Sequence, residues 1–326
     1  MRRTAFARGE AKAAAKELLR GSVAALCLPV DAHGDIDEAG LRHDIRHCID
    51  VLGSTGLYTN GNFQHYWLLT TEQRLRVLEI AVDEVAGAVP IINRCAHVSP
   101  RQAVELAQHA AGLGVPFIDL VPPDPQFVGA DQDVLVRYYT SIADQTDLGI
   151  FLFHTPRVGY TMSPELLAEL AEIPNVCGIK NGMPLDHTNK VRELVGDSVL
   201  VVDPIEDRCL VNMLEYGQQV IFTGDSPMFD SAADQPMRRY IDAALAGRAD
   251  EATRVFEALE PVRDLHRRWV QDRWRSSQLI PIAVIKYWTS QLGMTGGPTP
   301  SPLPSMTAEE MDELHSELVF VGLVSE

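Results

Sequence analysis

From Gly21 onward the chain alternates between two hydrophobic rhythms. Short apolar or β-branched runs read as strands: Val23–Leu28, Thr55–Thr59, Val89–Asn93, Phe117–Val121, Ile150–His154, Val176–Lys180, Ser198–Val202 and Gln219–Phe222. Between them, apolar residues recur at helical spacing. Leu75, Leu78, Ile80, Ala81 and Val85 make one such face, and Val104, Leu106, Ala107, Ala110 and Leu113 another. Ser163-Pro164-Glu165 sets a capping residue before a proline at the first helical position, so a helix starts there. Eight strands, each followed by a helix, imply parallel βαβ units. The count of eight favours a closed (β/α)8 barrel of the TIM type, an α/β fold, over an open doubly wound sheet. No GxGxxG follows the first strand, which weakens a dinucleotide-binding reading.

The barrel is expected over residues 21–248. Residues 1–20 precede it as an extension, helical or frayed, with good helix formers at Ala11–Leu19. A C-terminal helical region, 249–326, follows, with helical patterns near Ala249–Trp269, Gln278–Leu292 and Thr307–Leu318. Gly296–Pro304 is rich in Pro and Gly and reads as an irregular loop.

Composition narrows the functions. The 326 residues are 46% hydrophobic and 22% charged, which is ordinary for a soluble globular chain. A net charge of −17 disfavours nucleic acid and anionic membrane surfaces as partners. It says little about a small anionic substrate, which responds to the local field. Cys27, Cys48, Cys95, Cys177 and Cys209 are scattered without a CxxC pair, as expected of reduced cytosolic thiols. The run Ser22–Val30 follows a basic stretch and faintly resembles a signal peptide. Glu10 and Glu17 interrupt that stretch, so the run reads as the first strand and the protein as cytoplasmic.

Candidate chemistry gathers at the strand ends, where barrel enzymes place it. The second strand is followed by Asn60-Gly61-Asn62-Phe63-Gln64-His65-Tyr66-Trp67, and the third by Arg94, Cys95 and His97. The fourth is followed by Pro122-Pro123-Asp124-Pro125, and the fifth ends in Phe153-His154-Thr155-Pro156-Arg157. The seventh ends near Asp203 and the eighth near Thr223-Gly224-Asp225. The sixth strand, Val176-Cys177-Gly178-Ile179-Lys180, ends in a lysine. Burying an ammonium without a partner is costly. One reading is a lysine that snorkels to solvent. The other is a neutral amine, a nucleophile that condenses with ketones to form a Schiff base.

This arrangement resembles the dihydrodipicolinate synthase and N-acetylneuraminate lyase family of Schiff-base (class I) aldolases, over most of residues 21–290. The matching stretches are Asn60-Gly61, Leu69-Thr70-Thr71-Glu72, Pro156-Arg157, and Ser163-Pro164-Glu165 through Ile173-Pro174-Asn175-Val176-Cys177-Gly178-Ile179-Lys180. The resemblance implies that Lys180 is the Schiff-base lysine, that Arg157 helps to hold a substrate carboxylate, and that the protein forms a homo-oligomer, a tetramer or dimer. It implies no cofactor.

Departures from the family pattern are as informative. Where the family has a Gly-Thr/Ser-Thr-Gly-Glu loop, this chain has Gly61-Asn62-Phe63-Gln64-His65. The family's catalytic tyrosine falls on Phe153, which has no hydroxyl, and a tyrosine pair after the fourth strand falls on Asp124-Pro125. Protons must therefore move by another route. His65 and His154 are the candidates, because imidazole titrates near neutral pH. Tyr58, Tyr66 and Tyr160 are further sources of a hydroxyl. Arg94 stands where the family has a small residue, either as a second anion contact or paired with a nearby acid. Gly61, Asn62, Phe63, Phe153 and Gly224 are expected to line the substrate site. Phe63, Tyr66, Trp67 and Phe153 suit an apolar or aromatic aldehyde better than a sugar acid, unless they pack beneath the loop. His65, His97, His154 and Asp203 lack HxH or HExxH spacing, so no metal is expected.

Two functions follow. The first is an aldolase or hydratase-aldolase in which Lys180 condenses with pyruvate or another 2-oxo acid and the iminium serves as an electron sink. The second is a catalytically altered barrel that binds a 2-oxo acid as a sensor or scaffold.

Overall fold

The computed structural model describes residues 6–123, 131–156 and 160–325. Eight strands alternate with helices in the order of a (β/α)8 barrel: β1 (Gly21–Ala25), β2 (Gly56–Thr59), β3 (Ile91–Arg94), β4 (Phe117–Leu120), β5 (Gly149–His154), β6 (Val176–Asn181), β7 (Leu200–Val202) and β8 (Val220–Thr223). Each lies within about three residues of its sequence-predicted run. The chain divides into two compact units, residues 1–20 with 90–222, and residues 21–89 with 223–326.

The first unit is built on parallel ladders β3·β4, β4·β5, β5·β6 and β6·β7. Every residue of β3 to β7 is buried, as expected of strands covered on both faces. Phe117, Phe151 and Phe222 stack edge to face in its core, with centroids 6.1 and 4.9 Å apart. The helix expected at Ser163 runs over Pro164–Ala171, with the Ser163 hydroxyl accepting from the Leu166 amide at 3.2 Å. From residue 6 onward the N-terminal extension is docked rather than frayed. Its helix, Ala11–Leu18, sends Lys12 Nζ to the Ala171 carbonyl at 2.7 Å, and Arg8 reaches Asp144 at 2.7 Å.

The second unit pairs β1 with β2 in parallel and carries the helices Glu38–Arg46 and Thr71–Val85. The C-terminal region belongs to this unit. The helix expected over Ala249–Trp269 is two, Ala249–Ala258 and Glu260–His266, because Pro261 lacks an N–H and starts a new helix. Ile282–Gln291 and Ala308–Phe320 follow, and Gly296–Pro304 is irregular between them.

Candidate active site

In a strand, successive side chains point to opposite faces, and register partners in a parallel pair share a face. Phe153 pairs with Lys180, and His154 with Asn181. Lys180 and Phe153 therefore share one face, and His154 and Asn181 the other. Lys180 is 8% exposed, and its amine lies 4.9 Å from the Phe153 ring centroid and 5.9 Å from that of Phe222. Two ring faces stand against this nitrogen.

Arg94, at the end of β3, is fully buried and opposite Asp119 of β4 in register. Its Nη2 donates to Asp119 Oδ2 at 2.9 Å, and its Nε sits 3.2 and 3.3 Å from the two carboxylate oxygens. Its guanidinium carbon lies 4.2 Å from the Phe153 centroid. Of the two roles the sequence left open for Arg94, the structure shows the pairing with an acid. Asp119 is a functional candidate that sequence reasoning missed. The available signal was an acid inside the buried run Phe117-Ile118-Asp119-Leu120.

His154 sits in a closed network on the other face. The Met162 amide donates to its Nε2 at 2.9 Å, so the ring proton is on Nδ1 and is donated to Asn181 Oδ1 at 2.8 Å. Asn181 Nδ2 donates onward to His187 Nδ1 at 3.2 Å and to Thr188 Oγ1 at 3.1 Å, and His187 Nε2 donates to the Met162 carbonyl at 3.0 Å. Burial pushes the His154 pKa down to about 4, against the opposing Asn181 hydrogen bond. Both ring nitrogens are committed, and the ring is on the face away from Lys180. The shuttle role expected from sequence leaves out this geometry, which suits a neutral strut joining β5 to the end of β6 and to the Met162 backbone.

Asp203 is also engaged locally. It accepts from Arg208 at 2.9 Å, from Asn212 at 3.2 Å and from the Ile205 amide at 3.0 Å. His97 Nδ1 accepts from the Ser99 amide at 3.0 Å. Arg157, Asp124 and Pro125 lie outside the described residues.

In the second unit the segment after β2 is shaped by two left-handed residues, Asn60 at φ 55° and His65 at φ 40°. The Asn60 amide donates to Gln64 Oε1, and its side chain reaches the Arg74 carbonyl at 3.0 Å. A methyl at Gly61 would overlap the Tyr58 ring, and one at Gly224 would overlap Phe63, so the Phe63 ring packs over Gly224. The Asn62 carbonyl accepts from the His65 amide at 2.9 Å. Tyr66 packs on Arg74 and edge-on to Trp67, which is 42% exposed.

His65 is 1% exposed, and neither ring nitrogen has a hydrogen-bond partner among the described residues. Burial pushes its pKa down to about 4, and the Lys286 charge adds to this. A buried imidazole with unmet hydrogen-bonding capacity is costly, which sets His65 apart from the fully engaged His154. After β8, the Thr223 hydroxyl donates to Asp225 Oδ2 at 2.6 Å, and His266 Nε2 lies 3.4 Å from Asp225 Oδ1. His266 carried no sequence signal, because the chain separates it from Asp225 by a stretch of helices.

A family model, the Dihydrodipicolinate synthetase family, matches residues 18–319. N-acetylneuraminate lyase of Clostridium perfringens is 36% identical over 163 residues, 50% of this chain and 56% of that protein, so the match spans about half the length of that relative. A 4-hydroxy-tetrahydrodipicolinate synthase of Pelobacter propionicus is 30% identical over 244 residues, 74% of this chain and 81% of that protein. Among solved structures, a prophage protein of E. coli K12 in the dihydrodipicolinic acid synthase family, in complex with pyruvate, superposes with a TM-score of 0.81. It is 21% identical and covers 93% of this chain and 99% of that one, a likeness that shows the (β/α)8 fold.

Proposed function

The chain belongs to the dihydrodipicolinate synthetase family, and from that premise we propose that it is a Schiff-base-forming lyase acting on pyruvate or another 2-oxo acid. The observation that carries the proposal is Lys180, buried at the C-terminal end of β6 against Phe153 and Phe222. The amine adds to the ketone carbon, and the carbinolamine hydroxyl leaves as water with one proton. The positive charge stays on the nitrogen as an iminium. That iminium accepts the electron pair released when a bond at the adjacent carbon breaks, or supplies an enamine when one forms.

His65 is proposed as the proton carrier in place of the missing phenol. The support is its place in the loop after β2, where this chain departs from the family pattern, and a ring with neither nitrogen engaged among the described residues. Arg157 is proposed, on family likeness, to hold the substrate carboxylate. The same proposal includes an assembly of two or four copies in the cytoplasm, which light scattering and fractionation check. No helix among the described residues is long and apolar enough to cross a membrane.

Borohydride trapping with a panel of 2-oxo acids tests the core of this reading. The peptide holding Lys180 should gain the mass of the reduced adduct, and Lys180→Ala should abolish the gain. If no 2-oxo acid gives an adduct, the covalent mechanism fails and binding without catalysis takes its place.

A further inference from the structure

One aromatic ring in the first unit carries two cations. The Lys180 amine lies 4.9 Å and the Arg94 guanidinium carbon 4.2 Å from the centroid of Phe153. Phe153 is itself 4% exposed, so water does little to screen either contact. The four residues stand on four successive strands, Arg94 opposite Asp119 and Phe153 opposite Lys180 in register. Arg94 is gripped by Asp119 through Nη2 and Nε at 2.9 and 3.2 Å, with both side chains buried. A guanidinium held this way is fixed in place. The ring it lies against is fixed with it.

We propose that Phe153 is the platform for the iminium cation at Lys180, and that the buried Arg94–Asp119 pair positions its ring. The proposal rests on the Schiff-base reading given above. Its physical content is a preference among the states of one nitrogen. The lysine ammonium and the iminium each carry a full positive charge, and the ring's quadrupole attracts both. The neutral amine, and the neutral enamine formed when a base removes a proton from the carbon next to the iminium, lose that attraction. Exchanging ammonium for iminium therefore keeps the contact, whereas passing to the enamine gives it up. Phe153 thereby favours the intermediate in its electron-sink form. A phenyl ring performs this task without a hydroxyl. Arg94, neutralised by Asp119, orients the ring while adding little net charge beside the nitrogen.

The test reads the two intermediates separately at saturating pyruvate. Borohydride reduces the iminium, scored by intact mass, and hexacyanoferrate oxidises the enamine, scored by its reduction. In Phe153→Leu the iminium-to-enamine ratio should fall about three- to thirtyfold, the effect of losing one cation–π contact. Phe153→Tyr keeps the ring and should keep the wild-type ratio. Arg94→Met with Asp119→Leu removes the pair without stranding a buried charge, and should shift the ratio in the same direction by a smaller factor. Simple loss of stability would lower both signals together and leave the ratio alone. Should Phe153→Leu not fold, Phe153→Met supplies the same comparison. An unchanged ratio in the ring-less variant overturns the platform, and an unchanged ratio in the double variant overturns the positioning role. A wild-type protein that gives no adduct at all overturns the reading of Lys180 instead.

Discussion

His154 keeps its proton on Nδ1 because Met162 supplies a donor and Asn181 an acceptor, and the neutral ring satisfies both. Protonation would put two N–H donors where one faces another donor, in a buried site. The folded pKa is therefore depressed, to about 4 from the ordinary 6.5. The unfolded chain takes up a proton as pH falls through the ordinary value, and the folded chain does not. The stability tied to the neutral ring is complete above about pH 6.5 and declines as pH falls towards 4. Between pH 7 and 5 this one group should remove about 2 kcal/mol. His65, with the same depressed value, should remove a similar amount. In His154→Gln the drop in urea midpoint across that interval should be smaller than in the wild type. His65→Ala should differ in kind. It should lower turnover by about 10²–10⁴-fold, the usual loss for a general acid–base group, while the borohydride adduct at Lys180 still forms. Wild-type turnover in His65→Ala would show that protons travel by another route. Sequence named both histidines but did not distinguish them. Residue type predicts titration chemistry, but which of Phe153 and His154 shares the lysine's face is set by register, a pairing across 27 residues.

At the scale of elements, the strands and most helices were legible because their periodicity is imposed by burial on one or both faces. The segment after β2 was not, since a loop has no period to reveal where its side chains point. Its aromatics read as one pocket wall, yet the structure gives them different neighbours. Phe63 covers Gly224, Tyr66 lies on Arg74, and Trp67 packs edge-on to Tyr66 with 42% of its surface exposed. This separates their expected effects. Phe63→Ala removes a half-buried ring fitted to a glycine that has no room for a methyl, and should cost about 1–2 kcal/mol of stability, less than the loss of a fully buried phenylalanine. Trp67→Ala should cost little stability. If aldehyde selectivity is apolar, a screen with pyruvate should show aromatic aldehydes preferred over N-acetylmannosamine and aspartate semialdehyde. The preference should shrink in Phe63→Ala, because rings favour apolar contact and cannot hydrogen-bond to sugar hydroxyls. Preference for the sugar would mean that Phe63 only packs beneath the loop.

At the scale of the molecule, the alternation of strands and helices carries the fold, but the anchoring of the C-terminal region does not show in any local pattern. Lys286 illustrates why. It lies in the helix Ile282–Gln291 and reads as an ordinary helical lysine, yet it is 1% exposed. Its Nζ donates to the Leu28 carbonyl at 3.1 Å and to the Pro298 carbonyl at 2.6 Å. One ammonium thus ties the segment after β1 to the irregular stretch Gly296–Pro304, across 258 residues of chain on one side and 12 on the other. Burial pushes its pKa down, with Cys27, Asp44 and Asp37 opposing the shift, so the ammonium is bought with desolvation and offset by the two carbonyls. Trp288, two residues on, adds a second anchor from the same helix by donating to the Met228 carbonyl at 2.8 Å. Lys286→Met keeps the length and apolar stem but leaves two carbonyls without this donor. The expected loss is about 2 kcal/mol, the cost of stranding buried acceptors less the desolvation that the ammonium no longer suffers. Hydrogen exchange should rise first in residues 296–304 and around Leu28. A variant with unchanged urea midpoint and unchanged exchange there would mean that the loop is held by its packing, with the lysine contributing nothing of its own.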